Sequence, residues 1–589
     1  MMKTAKMLCT EDFDKQQFCP APPPSPPKHT FELGLVVAGG VSGGAYQAGV
    51  LDYLVEALDR WYAAKANGDP DVPQHDVRIK VITGTSAGGI NSALLGLATA
   101  WGFQPRRVDG AVSVWGDAAR DKPNIFYQTW VEGADIRHLL TTEDIQDGRP
   151  FSALNANFFA EHLVPQALQF QGAPITDTTR AYRDWLTSPL PILLTATNLT
   201  GVPYSVSFNT GADDQYQANY YMRLHKDYLS FKLTGGPGAP SERGDDCYPG
   251  YASINVWQQN KAEDPDWRRF GDAALATSAF PFGLAPVVLE RPYSDYRYRV
   301  FYRDGVKKQV ECIPPEPLPE AESQSYRFIN VDGGVMNNEP FDLARMVLFG
   351  PEMNDAKEQA LGGKTARGLL LLEAFPTDNQ LDNNVDPDIV NLIGRIIGAQ
   401  IDQARFKLKD LIFSRRDNLY TRFLLQPIRP GADPNGIALA GTPLEAFLGF
   451  FCRDFREHDF QLGRQNCQEF LRHRLKLPAE NPVFKGNVTS DKQGLAPLVP
   501  LVGACAEDEP VPAWPKDKFK WDEQYDLHEA IKHRLDTVVR SVIRKRVSGF
   551  WGALLCRLGW RWYFRKRAFK KIYSIVRCAE VQVNQTKSV

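Results

Sequence analysis

Gly84-Thr85-Ser86-Ala87-Gly88 is a GxSxG pentapeptide, and its residue types suit acyl transfer. A serine on a sharp strand-to-helix turn has its hydroxyl lifted clear of the backbone. The flanking glycines remove side chains that would clash in so tight a turn. The positive end of the following helix favours the negative charge that develops when the oxygen attacks a carbonyl. The same pentapeptide also arises as an ordinary Gly/Ser-rich loop, so context must decide. Residues 77–83 alternate Val77, Ile79 and Val81 with Arg78 and Lys80, the period of a strand, and a small-residue run through Ala98 reads as a helix.

A second candidate is Gly39-Gly40-Val41-Ser42-Gly43-Gly44, between the apolar run that starts at Phe31 and helical spacing over 45–63. Glycine-rich backbone at a helix start offers N–H groups to an anion. A nucleotide P-loop would need Lys and Ser/Thr after the last glycine, where Ala45 and Tyr46 stand. A dinucleotide fingerprint would need glycine at Val41. An oxyanion hole needs only placed backbone donors, which makes it the reading that fits beside GxSxG. Alone, the loop reads as a tight turn.

The third candidate is Asp332-Gly333-Gly334, after an expected strand at 328–331. A carboxylate at the C-terminal end of a parallel strand lies where the active sites of α/β sheets form. By itself, Asp before two glycines is more often a turn former.

These groups need a scaffold. Strand, glycine turn and helix recur, which is the rhythm of an α/β domain with a mostly parallel central sheet. Further strands are expected at 192–198, 204–208 and 369–374. A helix should start near Pro340 and stop at Gly350. The polar, Gly/Pro-punctuated stretch 213–266 reads as an insertion. Ile389, Ile393, Ile396, Ile397 and Ile401 lie at helical spacing and open a mainly helical accessory region. The expected organisation is a Pro-rich tail over 1–30, a catalytic domain over 31–376, a helical region over 377–539 and a basic aromatic segment over 540–589.

The order GG-x-x-GGAYQAGVL, GTSAG and DGG-x-x-x-N-x-P resembles the patatin-like phospholipase family. Two blocks between them are also similar. One is the strand from Leu194 to Asn198, with Asn198 where Asp is common. The other runs from Ala276 to Pro286, with Thr277 and Leu284 where Ser and Phe are usual. The resemblance implies a three-layer α/β domain and cleavage of lipid acyl esters by a Ser–Asp dyad. It implies Ser86 as nucleophile, Asp332 as base and the Gly39–Gly44 loop as oxyanion hole. Gly84, Thr85, Ala87, Gly88, Gly333 and Gly334 complete the motifs. The family often carries a third glycine and then a basic residue in the loop, where this chain has Val41 and Gly43. A free Asp, with a pKa near 3.9, is a weak base for serine. Burial should raise it, with Ala87, Ala276 and Phe282 as the expected floor. A Ser–His–Asp esterase using His458, and a catalytically idle membrane-binding protein, are the alternatives. For His458 and Asp459 the plainer expectation is a charged segment packed on the catalytic domain.

With 589 residues, 43% hydrophobic and 23% charged, the composition is that of globular domains and excludes a fibrous class. Nine dispersed cysteines without a CxxC pair argue against structural zinc and suit a reducing compartment. No metal, cofactor or nucleotide is required by any motif. Met1 to Cys19 lacks an apolar core and reads as no Sec signal peptide. No run is long and apolar enough for a transmembrane helix. The expected location is cytoplasmic or peripheral on a membrane. Net charge is only −2, yet Arg540 to Arg577 holds twelve Lys/Arg, eight aromatics and no acidic residue. Such a segment suits an anionic membrane surface, here through 540–577. Nucleic acid and a core-packed helix are the rivals; no nucleic-acid partner is expected, and the sequence names no protein partner.

Overall fold

In the computed structural model of the protein, the described residues are 23–586 without 109–121, 146–151, 175–182, 209–217, 236–247, 249, 259, 293, 298, 300, 305–309, 314–324, 352, 376–388, 406–411, 415, 417, 432–435, 486–487 and 548–549. Most of the Pro-rich tail lies outside them.

The chain opens with β1 (Thr30–Val37), α1 (Gly44–Ala66), β2 (Asp76–Gly84) and α2 (Ala87–Ala98). It continues through β3 (Leu190–Phe208), β4 (Ala218–Thr234), β5 (Ala252–Asn255), α3 (Pro265–Thr277), β6 (Val287–Pro292), β7 (Ser325–Asp332), α4 (Phe341–Phe349) and β8 (Arg367–Leu372). After these come α5 (Ile389–Gln403), β9 (Arg422–Leu425), α6 (Arg453–His473), α7 (Tyr525–Arg546), α8 (Phe550–Gly559) and α9 (Arg565–Gln585).

Among the described residues the central sheet has nine strands, in the order β9-β8-β1-β2-β3-β7-β6 with β4 and β5 added beside β3. The run from β9 to β3 is parallel. Because side chains alternate along a strand, β1 feeds two cores. Leu33, Leu35 and Val37 join α1 and α2 on one face, while Val36 joins Phe341, Ala344 and Leu348 of α4 on the other. Burial on both faces is what a central parallel strand requires. The result is the expected three-layer α/β architecture.

The long strand β3 positions the site. Its residues 192–194 pair with both β2 and β4, and its residues 196–197 pair with both β4 and β7. A strand has two edges, so β2 and β7 share the edge opposite β4. β2 is parallel to β3 and β7 antiparallel, so the two strands run toward each other along that edge. Gly84 ends opposite Leu194 and Asp332 ends opposite Ala196. The strand that carries Asp332 is therefore antiparallel to its neighbours, not parallel as the sequence suggested.

Two other expectations change. Residues 192–198 and 204–208 belong to one 19-residue strand, interrupted by a bulge between Thr197 and Val202. Asn198 Oδ1 accepts the N–H groups of Thr200 and Gly201 and closes that bulge. The stretch 213–266 is not simply an insertion, since it supplies β4 and β5 to the sheet. Leu229, Phe231 and Leu233 are buried at period 2, an alternation hidden by polar surroundings.

Residues beyond 376 share the sheet and the larger core. β9 adds a parallel edge strand to β8. Helix α6 lies on α1, and the contact is made by two glycines. A Cβ on Gly49 would stand 1.9 Å from the Phe460 carbonyl oxygen, and one on Gly463 would stand 2.1 Å from that of Tyr46. Along this contact Arg464 pairs with Asp52, Glu56 and Glu509, all buried. The polar segment 455–467 is thus a buried helix whose charges are matched by the catalytic layer.

Candidate active site

Ser86 stands at the turn between β2 and α2 with φ 53° and ψ −126°. A non-glycine residue in that region costs about 1–3 kcal/mol and persists only where its surroundings impose it. Its N–H donates to Thr277 Oγ1 at 3.0 Å, and the N–H of Thr85 donates to the Val37 carbonyl at 3.1 Å. A Cβ on Gly84 would lie 2.3 Å from Ser92 Oγ, and one on Gly88 would lie 2.3 Å from the Val37 carbonyl oxygen. Both glycines of the pentapeptide are therefore demanded by close approach, which exposes the serine hydroxyl at the strand end.

The Ser86 hydroxyl donates to Asp332 Oδ2 at 2.6 Å, and Asp332 Oδ1 accepts the Gly334 N–H at 2.7 Å. Asp332 is 4% exposed. Burial pushes its carboxyl up from 3.8 to about 6, against the lowering effect of its two hydrogen bonds. Threonines of β3 tie the two strand ends together. Thr195 Oγ1 meets Thr85 Oγ1 at 2.7 Å, and Thr197 Oγ1 donates to the Asp332 carbonyl at 2.8 Å.

The glycine loop closes over the same point. A Cβ on Gly39 would be 2.3 Å from Asn338 Oδ1 and 3.4 Å from Ser86 Cβ. Four of its six N–H groups are engaged: Gly39 with Asn338, Ser42 with Ala446, Gly43 with Gly40, and Gly44 with Val41. Those of Gly40 and Val41 have no acceptor among the described residues. Val41 takes φ 42°, an outlier for a β-branched residue, at the position where the family often has glycine. Ser42 is clasped from outside the expected catalytic region, since its hydroxyl also donates to the Ala446 carbonyl. Leu444, Glu445 and Ala446 all have positive φ, so this clasp is itself a strained left-handed turn.

Ser86 and Val41 line a cavity of about 120 Å³ with otherwise mostly apolar walls. Ile90, Ala93, Leu94 and Leu97 come from α2, Phe270 and Ala274 from α3, and Phe447 and Phe450 from beyond residue 376. Such a cavity accepts a hydrocarbon chain with its end at the serine. Ala87 lines it, and Ala276 is fully buried. Phe282, expected in the floor, is instead 70% exposed with φ 65° on the loop between α3 and β6.

His458 is not part of this arrangement. Its ring bonds Asp459 at 2.8 Å and Arg429 at 2.9 Å and packs edge-on against Trp514. Asp459 in turn accepts the N–H groups of Ala440 and Gly441. No imidazole intervenes between Ser86 and Asp332, whose oxygens touch directly.

Sequence reasoning missed the work of four residues. Thr277 and Asn338 lay inside recognised motifs, but their bonds to Ser86 and to the glycine loop are tertiary. Phe447 and Phe450 sit in an apolar run that signals burial and nothing about which cavity it lines.

The family model described as patatin-like phospholipase matches residues 35–345. The uncharacterized protein y4iI of Sinorhizobium fredii is 32% identical over 530 residues, covering 83% of this chain and 73% of its own. The match spans the glycine loop, the GxSxG elbow and the Asp-Gly-Gly turn, and the chain belongs to the patatin-like phospholipase family of lipid acyl hydrolases.

Proposed function

We propose that the protein hydrolyses carboxylic esters of phospholipids or related acyl lipids through an acyl-Ser86 intermediate, with Asp332 as general base. The observation that carries this reading is the 2.6 Å contact between the Ser86 hydroxyl and a buried carboxylate. A base is most effective when its pKa lies near the working pH, and an aspartate at about 6 is far better placed than a free one.

The chemistry follows from the placed groups. Asp332 takes the serine proton as Ser86 Oγ bonds to the ester carbonyl carbon. The N–H groups of Gly40 and Val41 are the uncommitted donors for the resulting oxyanion. Collapse of the tetrahedral adduct breaks the bond to the alcohol, which leaves with the proton from Asp332. Water, deprotonated by Asp332, then attacks the acyl-serine, and the new adduct expels Ser86 Oγ, which takes that proton back from Asp332 as the fatty acid is released. The apolar cavity holds the acyl chain during both steps.

Free fatty acid release from micelles of phosphatidylcholine, monogalactosyldiacylglycerol and trioleoylglycerol tests the proposal. Release from at least one by the wild type, and from none by Ser86→Ala, is expected. A folded wild type that releases nothing from any of the three contradicts it.

A further inference from the structure

No helix among the described residues is long and apolar enough to cross a membrane. The basic aromatic segment, however, is built in two parts that behave differently. The C-terminal part of α9 is docked: Val576, Ala579 and Val583 are buried, the Trp514 indole donates to the Val583 carbonyl, and Glu580 accepts the Trp521 N–H. The remainder forms a helical hairpin in which α7 packs against α8 and its continuation. Trp560 Nε1 and Arg565 Nε both donate to Asp536 of α7 and pin the two arms. From Asp536 to the end of α7 at Arg546, a rise of 1.5 Å per residue carries the tip about 15 Å further.

That tip is both apolar and basic on its outside. Val542, Leu555, Leu558, Tyr563 and Phe564 are 44–68% exposed. Arg544, Lys545, Arg546, Arg557, Lys566 and Lys570 are exposed among them and make no ion pair among the described residues. A core-packed helix would bury the first group and pair the second, so the packed reading holds for α9 from Phe569 onward and for Ser541 and Ile543, and not for the outer face of the tip. The side chains of Phe550, Trp551 and Trp562 lie outside the described residues.

The hairpin is also fixed to the cavity. Arg534 of α7 is 2% exposed and donates to the carbonyls of Thr141, Ser152 and Ala153 and to Asp144. Leu139 and Leu154, on either side of those carbonyls, line the cavity. Residues 153 and 154 in turn bond the Phe282 and Gly283 carbonyls, on the loop that exposes Phe282.

We propose that the exposed face of this hairpin tip, formed by the end of α7 and by residues 555–571, docks on an anionic lipid bilayer and holds the protein there. Exposed leucines and aromatics enter the headgroup boundary while the unpaired cations meet lipid phosphates. Arg534 ties the hairpin to the segment that supplies Leu139 and Leu154 to the cavity wall. The proposal does not rest on the hydrolase reading, because it concerns binding alone.

The test uses full-length protein carrying Ser86→Ala, so that vesicles are not consumed, and co-sedimentation with vesicles of phosphatidylcholine or of phosphatidylcholine with 30% phosphatidylglycerol. Two variants alter only exposed side chains: Lys566→Glu/Lys570→Glu/Lys571→Glu, and Leu555→Ala/Leu558→Ala/Phe564→Ala. Thermal melting confirms that each is folded. Partition into the anionic vesicles at least tenfold above the neutral ones is expected, with a drop of tenfold or more in either variant and at 0.5 M salt. Equal partition by parent and both variants overturns the proposal, as does equal binding to the two vesicles. Tighter binding to a 20-nucleotide single-stranded RNA than to the anionic vesicles, abolished by the charge variant, also overturns it in favour of nucleic acid.

Discussion

Thr277 receives the backbone N–H of Ser86 on its hydroxyl, 3.0 Å away, and so braces the strained residue that carries the candidate nucleophile. Thr277 is fully buried at the end of α3, and its methyl would lie 2.4 Å from a Cβ on Gly89. Replacing it with valine keeps the shape and leaves a buried N–H unpaired, a loss of about 1–3 kcal/mol. We expect Thr277→Val to lower kcat on a p-nitrophenyl ester by tenfold or more with a small change in KM. Thr277→Ser, which keeps the acceptor, should retain most activity. Equal rates for all three would show that the elbow is held without this bond.

Asp332 links activity to pH. Only its ionised form accepts the serine proton, so kcat should rise with pH through about 6, and not near 4 as for a free carboxyl. The same shift has a cost. Between 3.8 and about 6 the folded protein keeps a proton that the unfolded chain has lost, so stability falls as pH rises through that window. Above it the penalty is complete, at most about 3 kcal/mol for a shift of this size. Asp332→Asn should therefore abolish turnover, yet melt higher than the wild type at pH 7.5 and no higher at pH 3.5. A lower melting temperature at pH 7.5 would contradict the buried, proton-favouring site.

The cavity makes chain length a readout. Ala93 lines it from α2 and is 6% exposed. Ala93→Phe places a ring in a cavity of about 120 Å³ and should exclude long acyl chains before short ones. The ratio of kcat/KM for palmitate over acetate esters should fall at least tenfold, with acetate hydrolysis retained. An unchanged ratio would place the acyl chain elsewhere.

The crossing of α1 and α6 is tested by stability alone. Gly463 lies against the Tyr46 backbone, where even a methyl group would overlap. Backbone cannot yield as a flexible side chain does, so Gly463→Val should cost several kcal/mol, on the scale of severe overpacking. Urea unfolding should show the midpoint falling sharply or the protein failing to accumulate. A midpoint equal to the wild type would mean that the helices do not approach as closely as described.

The sequence made the chemistry legible where chemistry is local. Gly84 to Gly88 declares an elbow, because its glycines are needed by contacts within the turn and with β1. Asp332 was legible as a candidate through its two glycines, although its strand direction was not. Antiparallel pairing of β7 with β3 is decided by residues more than a hundred positions away, and nothing in 328–331 encodes it. β4 went unread because Leu229, Phe231 and Leu233, although they alternate with Ser230 and Lys232 as a half-buried strand should, lie in a stretch otherwise dense in charge, Gly and Pro. The clasp of Ser42 by Ala446 spans over four hundred residues, and no spacing rule reaches that far. For 455–467 the sequence carries the expectation of a charged segment packed on the catalytic domain, and α6 is that, but the partners of its charges are set only where α6 meets α1, as when Arg464 pairs with Asp52 and Glu56.

The most direct measurement is covalent. Labelling of the wild-type protein with a fluorophosphonate, followed by peptide mass spectrometry, locates the nucleophile without assuming a substrate. The adduct is expected on Ser86, absent in Ser86→Ala and formed at least a hundredfold more slowly in Asp332→Asn, in which the touching carboxylate is lost. An adduct on a different serine, or labelling of Ser86 at the same rate without the Asp332 carboxylate, would contradict the Ser86–Asp332 dyad.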